Sequence, residues 1–354
     1  MSLPIRTMIV GTGGWGKTWC TQTLPKAIQE GLVEVVAAVD VNPDSLKTAG
    51  QQLGLNESQC FTDVKLALEE TQPQICIMAS PPHTHEQIAV AAMEAGCDVL
   101  SEKPISDTLD SCMRMVEAAR RLNRKMGVTM THRFRQPIWT FREMVRSGDY
   151  GALDYIVMNF NWHRRDGLKE RQAKMQDTML IEGAIHQLDL LENLAGAHCE
   201  SVYMDSWTPR WGNYTGSAQA LLTMRFENSV RASYETAWCN ASPQNSWEKE
   251  YIRAEFEKAT IVLNRGRIEI FREEDNRLKA NPLGTVAELK MNPKWGNDYL
   301  LDAFLHWVRG GQKMETDIES NLHSMILLFA SIESSKQGVP VQIKRFARDQ
   351  GIVC

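Results

Sequence analysis

Along residues 1–130, short and almost uninterrupted apolar runs alternate with longer segments whose apolar residues recur every three or four positions. TMIVG, VEVVAAVD, QICIMAS, CDVLSEKP and KMGVTM predict strands buried on both faces, as parallel strands are. Between them WGKTWCTQTLPKAIQEG, DSLKTAGQQLG, DVKLALEE, HEQIAVAAMEAG and SDTLDSCMRMVEAARRLN predict helices, from their spacing or a capping residue at the start. Repetition of strand, helix and strand predicts an α/β Rossmann domain with a doubly wound parallel sheet.

After Met130 the period changes. QPIWTFREMVRSG predicts a helix, LDYIVMNFNWHRRDG a long strand and TMLIEGAIHQLDLLENLAG a further helix. ESVYMDSWTP, SAQALLTMRFE and SVRASYETAWC predict long strands, the last two joined by a hairpin at ENS. EYIRAEFEKATIVLNRGRIEIF predicts shorter strands, followed by helices at YLLDAFLHWVRGG and ESNLHSMILLFASIESSKQG. The pattern predicts a doubly wound Rossmann-type domain over 1–130 and an α+β domain over 131–354, the latter with a large, mostly antiparallel sheet. Helices on one side would leave one sheet face uncovered. RRDGLKERQAKMQD and REEDNRLKANPLGTVAELKMNPKWGND are charged and poor in periodic apolar residues, which predicts mobile connections.

Composition narrows the function classes. The 354 residues are 43% hydrophobic and 23% charged with a net charge of -5, so there is no basic surface for nucleic acid or anionic lipid. No run approaches the ~20 apolar residues of a membrane span, and the chain enters a strand without a leader-like segment, so a cytoplasmic protein is expected. The eight cysteines are scattered without Cys-x-x-Cys pairs or zinc spacing. They read as small core residues in a reducing compartment, and no metal is expected.

The chemistry begins in RTMIVGTGGWGKTWC. Gly11, Gly13 and Gly16 follow the first strand and open the first helix, where they would permit a tight turn, leave room for a pyrophosphate and let helix and strand approach. Thr12, Gly14 and Trp15 complete the same cofactor loop. Asp40 ends the second strand, where a carboxylate accepts from both ribose hydroxyls and repels a 2′-phosphate. NAD is therefore the expected cofactor in preference to NADP.

GTGGWG, SPPHTHEQIAVAAMEAGCDVLSEKP, THRFR, IEGAIHQLDLLENLAG and ASIESSKQGVPVQI together resemble the glucose-fructose oxidoreductase / inositol dehydrogenase (Gfo/Idh/MocA) family over essentially the whole chain. The resemblance implies an NAD(P)-dependent dehydrogenase acting on CH–OH groups of a sugar, inositol or polyol, assembled as a homodimer or homotetramer. It places Lys103 of EKP at the active-site lysine position and His186 at the catalytic histidine position, with Glu182 where aspartate is commoner. Glu182 and His186, four apart, would share a helix face. A carboxylate there can orient the imidazole, and a cationic lysine can stabilise alkoxide character as hydride leaves.

Ser80, Pro81 and Pro82, with Glu102 beside them, would line the nicotinamide-ribose crevice. Arg133, Trp162 and Arg164, near His163, are candidate substrate contacts alongside Lys103, Glu182 and His186, because indoles stack on sugar C–H faces and guanidinium groups bind vicinal oxygens. Trp207, Trp211 and Trp238 read as packing or oligomer residues, and Asp189 as a structural partner. Two alternatives share the fold: a non-catalytic dinucleotide-binding regulator and an NAD-dependent glycosidase.

Overall fold

The computed structural model describes residues 3–165, 175–273 and 283–352. The chain forms two compact units, 1–131 with 294–322 and 132–293 with 323–354.

The first unit is built on six strands: β1 (Ile5–Val10), β2 (Val33–Val39), β3 (Cys60–Phe61), β4 (Ile75–Met78), β5 (Asp98–Ser101) and β6 (Met126–Val128). They run parallel in the order β3-β2-β1-β4-β5-β6. Every residue of β4 is buried, as its unbroken ICIM run requires of a central parallel strand. The crossover helices begin where side chains accept from free backbone amides: Asn42 from Asp44 and Ser45, Asp63 from Leu66 and Thr108 from Ser111. Only β3, two residues long, carries too little pattern to be read from sequence.

Segment 294–322 groups with the first compact unit, although the sequence pattern places it in the second half of the chain. β6 is an edge strand, and this segment covers it. The Val128 amide donates to the Thr316 carbonyl at 2.8 Å, and the Thr316 hydroxyl donates back to the Val128 carbonyl at 2.7 Å. A Cβ on Gly127 would lie 2.7 Å from Met314 Sδ and 3.2 Å from Phe304 of the helix Gly296–Val308, so a side chain here would have to displace theirs.

The second unit contains β7 (Leu153–Asn161), β8 (Cys199–Trp207), β9 (Gln219–Phe226), β10 (Arg231–Ala237), β11 (Tyr251–Phe256), β12 (Ala259–Asn264), β13 (Arg267–Arg272), β14 (Thr285–Val286) and β15 (Val341–Gln342). Their order is β14-β13-β12-β11-β7-β10-β9-β8-β15, and only the β7–β10 pair is parallel. Along β9, Leu222, Met224 and Phe226 face inward while Leu221, Thr223 and Arg225 are exposed. The inner face meets helices: Ser334 of Ile318–Gln337 bonds the Met204 amide at 3.0 Å, and Tyr234 donates to Gln187 of Ile185–Ala195 at 3.2 Å. The opposite face carries exposed Tyr203, Trp207 and Leu221. The helix predicted at TMLIEGAIHQLDLLENLAG is a wider π turn over Met179–Ala184 that becomes α-helical at Ile185–Ala195. Much of the two charged stretches lies outside the described residues, although residues 283–298 of the second are described and include β14.

Candidate functional site: a dinucleotide cradle and a histidine cluster

In the first unit the loop after β1 has the shape that its glycines predict. Gly11 has φ +84°, and a Cβ there would stand 2.6 Å from the Ser80 amide nitrogen. A Cβ on Gly16 would fall 1.9 Å from the Gly11 carbonyl oxygen. No side chain fits either position, so the helical run beginning at Gly16 packs directly against the strand end and offers its N-terminus to an anion. The residues present therefore fit the pyrophosphate of a dinucleotide.

Asp40 has a structural job that sequence reasoning missed. Its Oδ2 accepts from the Thr12 amide at 2.7 Å, the Thr12 hydroxyl at 3.0 Å and the Gly13 amide at 3.1 Å, while Oδ1 accepts from the Asn42 amide at 2.8 Å. The carboxylate thus shapes the glycine loop and remains half-exposed at the end of β2. Thr12 is buried, whereas Trp15 is 52% exposed.

Past β4, Ser80 accepts from the Thr84 hydroxyl at 2.8 Å, Pro82 is buried and Pro81 is exposed. Buried His85 braces this turn: Nε2 lies 2.8 Å from the Ser80 carbonyl, and Nδ1 lies 3.1 and 3.0 Å from the carbonyls of Pro104 and Ile105. Burial lowers the His85 pKa against those three carbonyls. Past β5, Glu102 is buried and its Oε1 accepts from the Trp19 indole at 2.8 Å. Burial raises its pKa, opposed by the bond from Trp19 and the charge of Lys103. Lys103 follows, half-buried, before a cis bond to Pro104.

In the second unit, helix Ile185–Ala195 buries both His186 and Asp189. Glu182 lies in the preceding π turn, partly exposed. Arg133 holds Asp189 through both arms of its guanidinium, Nε to Oδ2 at 2.5 Å and a second nitrogen to Oδ1. Arg133, a candidate substrate contact in the sequence, is thus buried and engaged with Asp189. Trp162 packs edge-on to Trp238 at 5.3 Å, and the Arg164 guanidinium lies over both rings at 4.9 and 5.4 Å. His163 Nδ1 lies 2.7 Å from the Asn240 carbonyl. Trp238 is a core residue, whereas Trp207 and Trp211 are exposed.

Sequence reasoning also missed His132, Trp247 and Glu250. The His186 ring lies 5.8 Å from His132 and 5.5 Å from Trp247, and Trp247 is itself 6.1 Å from His132 and 6.2 Å from Trp162. Glu250, at the head of β11, is buried with Oε1 3.5 Å from His132 Nε2. Trp247 stands in a connection without periodicity and Glu250 is one residue before a strand, so neither carried a pattern linking it to His186.

Among the described residues no group of three His, Cys, Asp or Glu is placed to hold a metal ion, and no helix is long and apolar enough to cross a membrane. A six-stranded parallel sheet with a glycine cradle, paired with a large sheet domain, defines a dinucleotide-dependent oxidoreductase. Residues 5–130 match the oxidoreductase family with NAD-binding Rossmann fold, and residues 138–269 match the GFO/IDH/MocA C-terminal domain. The chain belongs to this Gfo/Idh/MocA family, and its first unit is an NAD-binding domain.

An uncharacterized protein of Sinorhizobium fredii, y4oX, is 36% identical over 346 residues, 96% of each chain. An inositol 2-dehydrogenase of Corynebacterium glutamicum is 25% identical over 237 residues, 66% of this chain and 67% of its own. The fold resembles that of WlbA dehydrogenase from Bordetella pertussis, crystallised with NADH and UDP-GlcNAcA, with a TM-score of 0.79 at 23% identity, covering 96% of this chain and 98% of that one.

Proposed function

We propose that the protein is an NAD-dependent dehydrogenase that moves a hydride between the cofactor and a hydroxyl or keto carbon of a sugar, inositol or related polyol. The observation that carries the reading is His186, a buried imidazole walled by Trp247 with Trp162 behind it, because indole rings suit the C–H faces of a sugar and imidazole suits the proton of its hydroxyl. The inositol 2-dehydrogenase relative supports the substrate class.

Bound NAD supplies the hydride acceptor. Gly11, Gly13 and Gly16, with Thr12, Gly14 and Trp15, hold the pyrophosphate, Asp40 takes the adenosine ribose, and Ser80, Pro81, Pro82 and Glu102 flank the nicotinamide ribose. Lys103 hydrogen-bonds the reacting oxygen and favours its negative charge, while His186 accepts its proton and Glu182 supports the imidazole. Arg164 and Trp162 serve substrate oxygens and ring faces.

The exposed sheet face bearing Tyr203, Trp207 and Leu221 supports assembly as a homodimer or homotetramer, and the free thiols of the described cysteines suit a cytoplasmic setting. The test is a panel of sugars, polyols and inositols assayed for NADH formation, and of keto-sugars for NADH loss. Turnover of one member is expected. NADH binding without turnover of any would overturn the dehydrogenase reading in favour of a dinucleotide-binding regulator, and release of a reducing sugar without net NADH would do so in favour of a glycosidase.

A further inference from the structure

We propose that Glu250, acting through His132, sets the charge carried by His186, so that the Glu250–His132 pair is a positioning element behind the reacting imidazole. The inference rests on the role given to His186 above.

The geometry is contained in the second unit. His132, in the 3-10 turn Thr131–Phe134, is 1% exposed, and neither of its ring nitrogens makes a hydrogen bond to another described residue. A buried imidazole that makes no hydrogen bond at either nitrogen, with a carboxyl oxygen 3.5 Å from one of them, is unusual enough to need an explanation. Its Nε2 faces Glu250 Oε1 at 3.5 Å, and its ring is tilted 45° against that of His186 at 5.8 Å. Trp247 presents itself edge-on to both histidines, so carboxyl, imidazole and imidazole form one cluster with an indole closing its side. Phe160 backs the indole at 4.7 Å.

Other charged groups around this cluster are engaged or distinct in role. Arg135 Nη1 stands 4.0 Å from Glu250 Oε1, and its guanidinium lies 5.8 Å over Trp247. The Glu248 amide donates to Glu250 Oε1 at 3.2 Å, and the exposed Glu248 carboxylate opposes ionisation of Glu250. On the helix of His186, Asp189 is held by Arg133 and by the Ser324 hydroxyl, and Glu182 lies one turn before. From β10, burial raises the pKa of the Tyr234 phenol, which keeps it neutral, and its hydroxyl donates to Gln187.

Burial pushes Glu250 up to about 7 and drives His132 well below the usual imidazole range. His132 therefore stays uncharged while the carboxyl beside it changes charge. The change is felt as a change of tautomer. A carboxylate draws the ring hydrogen of His132 to Nε2 and leaves Nδ1 an acceptor; a carboxylic acid donates to Nε2 and puts the hydrogen on Nδ1. Loss of one proton from the pair thus adds a negative charge and an acceptor nitrogen to the cluster whose His132 ring lies 5.8 Å from that of His186, in surroundings where water screens little. An imidazolium at His186 is then favoured, which is the form it takes after accepting a proton from the substrate hydroxyl.

The experiment follows the ring signals of 13C-labelled histidine by NMR across pH in the full chain, with the His186 signal identified by its absence in His186→Asn. Glu250→Gln is expected to lower the His186 titration midpoint by about one pH unit, the scale of a nearby opposite charge. His132→Gln should act in the same direction, and Glu250→Asp should retain the original midpoint. The rising limb of kcat for sugar oxidation should move to lower pH with the same variants. An unmoved His186 midpoint in a folded Glu250→Gln overturns the proposal. Should Glu250→Gln lose its folded circular dichroism spectrum, His132→Gln and Glu250→Asp decide: a midpoint lowered in His132→Gln alone supports the coupling, and identical behaviour of both overturns it. Because the titration needs no substrate, it tests the pair even if no sugar in the panel is oxidised.

Discussion

Arg133 and Asp189 form a two-armed ion pair inside the second unit, with the Ser324 hydroxyl donating to the same carboxylate at 3.0 Å. Asp189 is fully buried and Arg133 nearly so. Removing one member of such a pair leaves an uncompensated buried charge, which typically destabilises by about 3–5 kcal/mol. Asp189→Ala is expected to lower the unfolding free energy in urea by that amount, and Arg133→Ala to act through stability with KM for the substrate little changed in the folded fraction. A rise in KM alone for Arg133→Ala would return the residue to the substrate pocket.

Asp40 holds the glycine loop in shape, and the proposed function also gives it the adenosine ribose. Because its Oδ2 gathers three donors from Thr12 and Gly13, Asp40→Ser should weaken NADH binding by about tenfold or more, roughly the loss of one or two hydrogen bonds to a charged group. The preference for NADH over NADPH should narrow in the same variant. Isothermal titration with both cofactors measures each effect, and an unchanged ratio would remove Asp40 from ribose selection.

Lys103→Met and His186→Ala should each reduce kcat by ~10²-fold or more, the range for losing an acid-base or oxyanion group. NADH affinity should change little in either. Glu182→Gln should have a smaller effect, since it removes only support for the imidazole. Steady-state kinetics on the substrate found in the panel decides; near-normal kcat in Lys103→Met would make the EKP lysine structural.

Glu250 also predicts a pH dependence of stability. Its pKa is raised by folding from 4.5 to about 7, so between those values the folded chain binds a proton that the unfolded chain has lost. Its contribution is fully present below about 4.5 and is lost as pH rises through about 7, a change on the order of 3 kcal/mol by linkage. Urea unfolding at several pH values should show that decline flattened in Glu250→Gln. An equal slope in both proteins would place the titration elsewhere.

The parallel sheet was legible because buried parallel strands write themselves as apolar runs, and ICIM of β4 is buried at every position. The glycine loop was legible because its backbone geometry excludes side chains at Gly11 and Gly16. The long strands of the second sheet were legible by alternation, as along β9. Local pattern alone determined these.

Tertiary structure decided what depends on residues distant in the chain. Segment 294–322 joined the first unit because β6 had an open edge, a fact absent from the segment's own periodicity. Arg133 is drawn into an ion pair because Asp189, 56 residues away, places a carboxylate where its fork ends. Trp19 and Glu102, 83 residues apart, close on each other for the same reason. His132, Trp247 and Glu250 surround His186 although their local sequence has no period that links them, because side-chain chemistry converges through folding and periodicity reports only which face of its own element a residue occupies.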